Sequence, residues 1–179
     1  MKLLRPLLVL LFCVSLPAWS ASGEPEGAEA VQIPQLTDLS ADSGEAAQRH
    51  LPILVLFSAE HCGYCEALKR DFLKPAIYSG NYKNRILFRE VELVPGKSVR
   101  DFDGSEVNVY DLSDRYHVKV TPTLVFIDHN GRQMADKMVG LGTPDFYGSY
   151  LDEAIQTAYH QVRAQSSFAC KDPVSGTPC

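Results

Sequence analysis

Residues 53–65 read Ile53-Leu54-Val55-Leu56-Phe57-Ser58-Ala59-Glu60-His61-Cys62-Gly63-Tyr64-Cys65. The first five are apolar without alternation, which fits a strand buried on both faces at the centre of a helix-covered sheet. A short polar turn follows, and the two cysteines then open a stretch with helical spacing to about Phe72, with Ala67, Leu68 and Phe72 on one side. Pro75 is expected to bend or end that helix. A cysteine at a helix N-terminus faces unpaired backbone N–H groups and the positive end of the peptide dipole, and both favour its thiolate. Two intervening residues set the second sulfur one turn on, within reach of a mixed disulfide formed on the first. A protonated His61 would favour the Cys62 thiolate further.

Zinc sites share the C-x-x-C spacing but need two further ligands. Cys170 and Cys179 do not form a second such pair, so no metal is expected. A structural staple is a weak explanation as well, because closing so short a loop removes little chain entropy. That leaves Cys62 as nucleophile and Cys65 as resolving thiol.

Outward from this stretch, Ile86 to Val94 is the next strand, and Pro95 to Val107 a polar, Gly-containing insertion. Val109 to Tyr116 has a helical pattern and Thr123 to Asp128 is a second buried strand. His129-Asn130-Gly131-Arg132 carries the Asn-Gly hairpin signal, with Met134 to Val139 as the returning strand. Asp145 to Arg163 is a last helix with Phe146, Tyr150, Leu151, Ala154, Ile155 and Ala158 at helical spacing, and Phe88, Phe126 and Phe146 are assigned to the core. Upstream, Thr37 to His50 reads as a short irregular helix and Ser22 to Gln35 as a flexible linker. Alternating strands and helices followed by a hairpin give an α/β domain: a mixed central sheet with helices on both faces.

Residues 1–21 read as an export signal: Lys2 and Arg5, an apolar Leu7–Leu16, then Ala18 and Ser20 at cleavage spacing. The apolar stretch is short of the roughly 20 residues of a membrane span. Cleavage removes Cys13 and leaves Cys62, Cys65, Cys170 and Cys179, an even set suited to an oxidising compartment. The organisation expected is signal 1–21, linker and start of a leader helix 22–45, main domain 46–165 and a cysteine-bearing tail 166–179. Within that tail Cys170 and Cys179 are expected to pair, since exposed free thiols are poorly tolerated there; a second redox relay feeding Cys62 is the alternative. The chain has 22 acids against 17 bases and a net charge of −5, which speaks against a nucleic-acid partner.

Val120-Thr121-Pro122-Thr123, directly before the second buried strand, completes a recognisable pattern. Ile53 to Cys65 and Tyr116 to Leu141, in this order, resemble the thioredoxin superfamily over about residues 46–162. The resemblance implies a thioredoxin fold in which Pro122 is cis and packs on the redox pair. It also implies that Thr121 pairs with a substrate strand. Tyr64, at the helix start, either shapes the substrate groove or is an exposed spectator. Gly63-Tyr64 between the cysteines is similar to periplasmic disulfide isomerases, and Thr121 before the proline to Dsb-type proteins. The leader helix and the 95–107 insertion resemble exported, sulfur-oxidation-linked thioredoxin-like proteins. Leu56 stands where thioredoxins carry a buried carboxylate, and Ser58 and His61 where they carry aromatics. Glu60 and Glu90 are the candidates to replace that acid, but a solvated surface glutamate is the favoured reading for each.

The function expected is that of an exported, periplasmic thiol–disulfide oxidoreductase acting on protein disulfides. It would be monomeric, with no cofactor beyond the Cys62–Cys65 disulfide, no stable membrane insertion after cleavage, and an unidentified redox donor or acceptor. Residues 22–45 are too few and too polar for the dimerisation domain of an isomerase, so a monomeric reductase or general oxidoreductase is favoured, with a dithiol oxidase as the enzymatic runner-up. The non-enzymatic alternative is a thioredoxin-fold binding module.

Overall fold

The apolar run becomes β1 (Ile53–Ser58), and all six of its residues are buried. In this computed structural model, which describes residues 31–169, β1 is an interior strand of a four-stranded sheet ordered β2-β1-β5-β6. The partners are β2 (Leu87–Glu92), β5 (Thr123–Ile127) and β6 (Gln133–Val139). β1 runs parallel to β2 and antiparallel to β5, and β5 and β6 form the hairpin signalled by Asn130-Gly131.

Side chains alternate across a strand, so β1 feeds two cores at once. Ile53, Val55 and Phe57 join Leu39, Ala46, Val109, Leu112 and Tyr116, packing α1 (Leu39–Arg49) and α4 (Val109–Arg115) on one face. Leu54 and Leu56 join Leu68, Leu73, Leu151, Ile155 and Ala158 on the other. Each fully buried leucine, isoleucine, valine or phenylalanine among them contributes roughly 1.5–3 kcal/mol. The second face is covered by the redox-motif helix and by α5 (Pro144–Ala169).

The motif helix runs further than the sequence suggested. It comprises α2 (Gly63–Leu68), a π turn (Lys69–Leu73) and α3 (Lys74–Ser79). Pro75 does not end it. The widened turn, closed by the Lys74 N–H on the Lys69 carbonyl, lies immediately before the residue that has no N–H to give. Termination falls instead at Gly80, with φ 70°.

Four other readings are corrected. Ser22–Gln35 is not flexible linker to its end: Leu36 N–H bonds the Glu90 carbonyl at 2.7 Å and Glu90 N–H the Pro34 carbonyl at 2.9 Å. The leader therefore lies along the outer edge of β2, with Ile33 and Leu36 buried. The 95–107 insertion folds, together with Asn108, into a hairpin of β3 (Ser98–Arg100) and β4 (Glu106–Asn108), in which Val99 is buried against the α1 side. Phe146 is not core but 59% exposed, as is Tyr150 at 52%. The inward stripe of α5 is Tyr147, Leu151, Ile155, Ala158 and Val162, one residue out of phase with the aromatic pair. The leader helix α1 is regular, capped by the Asp38 carboxylate on Ala41 N–H and closed by left-handed His50.

Gly131 locks the two hairpins together. Its φ is 77°, and a Cβ there would sit 2.8 Å from the Phe102 ring at the tip of the β3–β4 hairpin. Tyr116 Oη donates to its carbonyl at 3.1 Å. Gly131→Ala is expected to cost about 2 kcal/mol or more, since the left-handed backbone alone costs roughly 1–2 kcal/mol. Gly80→Ala shares that backbone penalty without any neighbour within 4 Å. Urea midpoints check this: equal losses for the two variants would remove the packing account.

Candidate functional site

Cys62 follows β1 through an exposed turn whose last residue, His61, has its backbone in the left-handed region at φ 58°. Histidine is among the side chains that tolerate this conformation, and it swings the chain from the sheet into α2. Cys62 is the N-cap: its sulfur accepts the Cys65 N–H at 3.2 Å, and its carbonyl takes the first helical bonds. Cys62 and Cys65 are joined in a disulfide with Cα atoms 5.2 Å apart. The two sulfurs are unequally placed. Cys65 is fully buried whereas Cys62 is only half-buried. Tyr64, between them, is 69% exposed.

The start of β5 supplies the opposite wall. The Thr121–Pro122 peptide is cis, and the Thr121 hydroxyl lies 3.6 Å from Cys62 Sγ, placed to donate to it. The Pro122 carbonyl accepts the Gly140 N–H at 2.7 Å, tying this corner to the end of β6. The sequence motif residues His61, Cys62, Tyr64, Cys65, Thr121 and Pro122 thus meet at one end of the sheet, with exposed Val120 beside them. Cys170, Cys179 and the 1–21 segment lie outside the described residues.

Glu90, read from the sequence as a solvated acid, is buried. It is the β2 partner of Leu56, on the face that carries the motif helix. Its Oε1 accepts the Ser58 hydroxyl at 2.7 Å and the Lys69 ammonium at 3.1 Å; its Oε2 accepts Gln35 Nε2 at 3.2 Å. Four polar groups from the leader, β1, β2 and the motif helix meet there. The period of two in β2 carried the signal: Phe88 faces this core, so Glu90 must too. Glu60 is exposed, as expected.

The family model for a thioredoxin-like domain matches residues 39–155. The chain belongs to the thioredoxin-like family. No curated protein sequence matches it. Among solved structures it is similar to a thioredoxin h from poplar, at 24% identity over 63% of this chain and 85% of that one, with a TM-score of 0.44. It is also similar to mitochondrial thioredoxin 3 of Saccharomyces cerevisiae (21%, 69% and 93%, 0.46) and to a DsbH oxidoreductase (22%, 75% and 91%, 0.47). In this thioredoxin-like domain the paired cysteines support thiol–disulfide oxidoreductase chemistry in general terms.

Proposed function

We propose that the protein is an exported, monomeric reductase of protein disulfides, working in the periplasm after loss of residues 1–21. The observation that carries the exchange chemistry is the asymmetry of the pair, a half-exposed Cys62 at a helix start, receiving a backbone N–H and a hydroxyl, beside a fully buried Cys65; export rests on the sequence pattern of residues 1–21. Such donors stabilise a thiolate on Cys62 and leave Cys65 out of a client's reach.

In the reduced protein, Cys62 thiolate attacks one sulfur of a client disulfide. That S–S bond breaks, and the other client sulfur leaves with the electron pair and takes up a proton. Cys65 then loses its proton to water and attacks Cys62 Sγ. The second client sulfur departs as thiolate, leaving the client reduced by two electrons and the pair oxidised. A dithiol donor restores the pair, and no other cofactor enters. Thr121 and Pro122 would hold the extended client, exposed Tyr64 and Val120 would give it apolar footing, and a protonated His61 would add to the field at Cys62.

Insulin reduction by the chain from residue 22 onward tests the class. Turnover well above that of free dithiol is expected; a rate equal to free dithiol would return the fold to a binding module. Equilibration with glutathione then sets the direction: a potential near −270 mV, about that of thioredoxin, is expected, and one near about −120 mV would make the protein an oxidase.

A further inference from the structure

A negative charge must appear on Cys65 in either direction of exchange, as attacking thiolate or as leaving group. Cys65 is 0% exposed, and burying a charge without a partner is costly. The cluster below it holds a cation. Lys69 is one regular turn beyond Cys65, its backbone N–H bonded to the Cys65 carbonyl. Residues four apart on a helix are neighbours, and side chains tilt toward the N-terminus, so the Lys69 stem lies back over the turn that starts at Cys65. Its side chain is only 17% exposed and is gripped twice, by Glu66 Oε1 at 2.6 Å and by Glu90 Oε1 at 3.1 Å. Burial alone would push the Lys69 ammonium down, but the bonds from Glu66 and Glu90 outweigh it and hold it above its ordinary value. It stays charged throughout the range in which thiols titrate.

We propose that Lys69, clamped from the sheet by Glu90, is a positioning residue that meets the charge developing on Cys65. The clamp explains an otherwise costly arrangement. Glu90 is itself fixed by the Ser58 hydroxyl and by Gln35 of the leader, so the ammonium is held by the sheet rather than free to extend into water. The charged groups of this cluster are Glu66 on the same helix and Glu90 from β2; Ser58 from β1 and Gln35 from the leader are polar and neutral. Thr121, from the start of β5, is directed at Cys62, and the exposed Glu60 and His61 precede the motif. The balance of the exchange is the one given above, with the Cys65 proton going to water and the departing client thiolate taking one up. Lys69 changes the cost of the intermediate state and neither gains nor loses a proton.

The inference rests on Cys65 acting as the resolving thiol, and its test reads the charge on Cys65 with no client present. Full-length protein in a Cys62→Ser background, labelled with ¹³C at cysteine Cβ and kept reduced, is titrated by NMR, the Cys65 resonance being assigned by its loss in Cys65→Ser. Lys69→Met is expected to raise the Cys65 midpoint by about one pH unit or more, and Glu90→Gln to lower it, because an opposite charge favours the thiolate and a like charge disfavours it. Lys69→Arg, which keeps the charge, should restore the midpoint, and Lys69→Gln replaces Lys69→Met should the latter not fold. A merely structural lysine would change the urea midpoint and leave the titration where it was, and an unmoved midpoint in folded Lys69→Met or Lys69→Gln overturns the proposal. Should insulin reduction fail while the midpoints move in these opposite directions, the enzymatic reading falls and the electrostatic one stands.

Discussion

When reduced Cys65→Ser protein meets oxidised client proteins, disulfide-linked adducts on Cys62 are expected to accumulate at about tenfold or more the level seen with Cys62→Ser. The reason lies in access and in the second step together. Cys62 Sγ lies at the mouth of the site, where it receives the Cys65 N–H at 3.2 Å and the Thr121 hydroxyl at 3.6 Å. Cys65 has no exposed surface. Without Cys65 the mixed disulfide has no internal thiol to resolve it, so it persists; without Cys62 the remaining thiol cannot be reached. Non-reducing gels read the adducts, and a Cys62→Ser/Cys65→Ser double variant sets the background contributed by Cys170 and Cys179. Insulin turnover should fall to that of free dithiol in both single variants. Equal trapping by the two would show that the sulfurs are interchangeable, against the buried placement of Cys65.

The parts of this site that were legible in the sequence are those with a strong local signature. An unbroken apolar run of five residues ending at a polar turn fits a strand covered on both sides, and β1 divides its side chains between two cores accordingly. That Thr121 and Pro122 meet Cys62 and Cys65 was implied by the resemblance to the thioredoxin superfamily, not by any local spacing. What was missed depends on partners distant in sequence. Glu90 is charged, and a charge in isolation reads as surface; only Ser58, Lys69 and Gln35, up to 55 positions away, make its burial tolerable. Its place two residues after Phe88 was the available clue. Phe146 failed for the converse reason. Hydrophobicity alone drew it inward, whereas the phase set by Leu151 and Ile155 selects Tyr147, which packs on Phe72 with ring centroids 4.9 Å apart. The β3–β4 hairpin escaped notice because only Val99 of its six strand residues is buried, leaving hardly any alternation to read.

Leu56→Asp carries the largest expected loss of stability, and the position of Glu90 fixes its sign with pH. Leu56 is fully buried and pairs in the sheet with Glu90 on one side and Leu124 on the other. Removing a buried leucine side chain costs about 2–5 kcal/mol before any polar group is added. The introduced carboxyl would lie on the same face as Glu90, with apolar Leu68 and Leu73 around it. Desolvation and the neighbouring carboxylate both disfavour its ionised form, so its folded pKa must rise above the unfolded value of about 3.9. A folded state that holds a proton the unfolded state has released loses stability as pH rises. The deficit relative to wild type should therefore widen from pH 4 upward until the folded-state pKa is passed. Urea denaturation of both proteins at pH 4.5 and pH 8 measures it. A deficit that stays constant or narrows between those pH values would mean that the new carboxyl ionises freely, through water or a cation reaching this layer of the core. Lys69 is the cation best placed to do so, and adding Lys69→Met to Leu56→Asp would then bring the widening back.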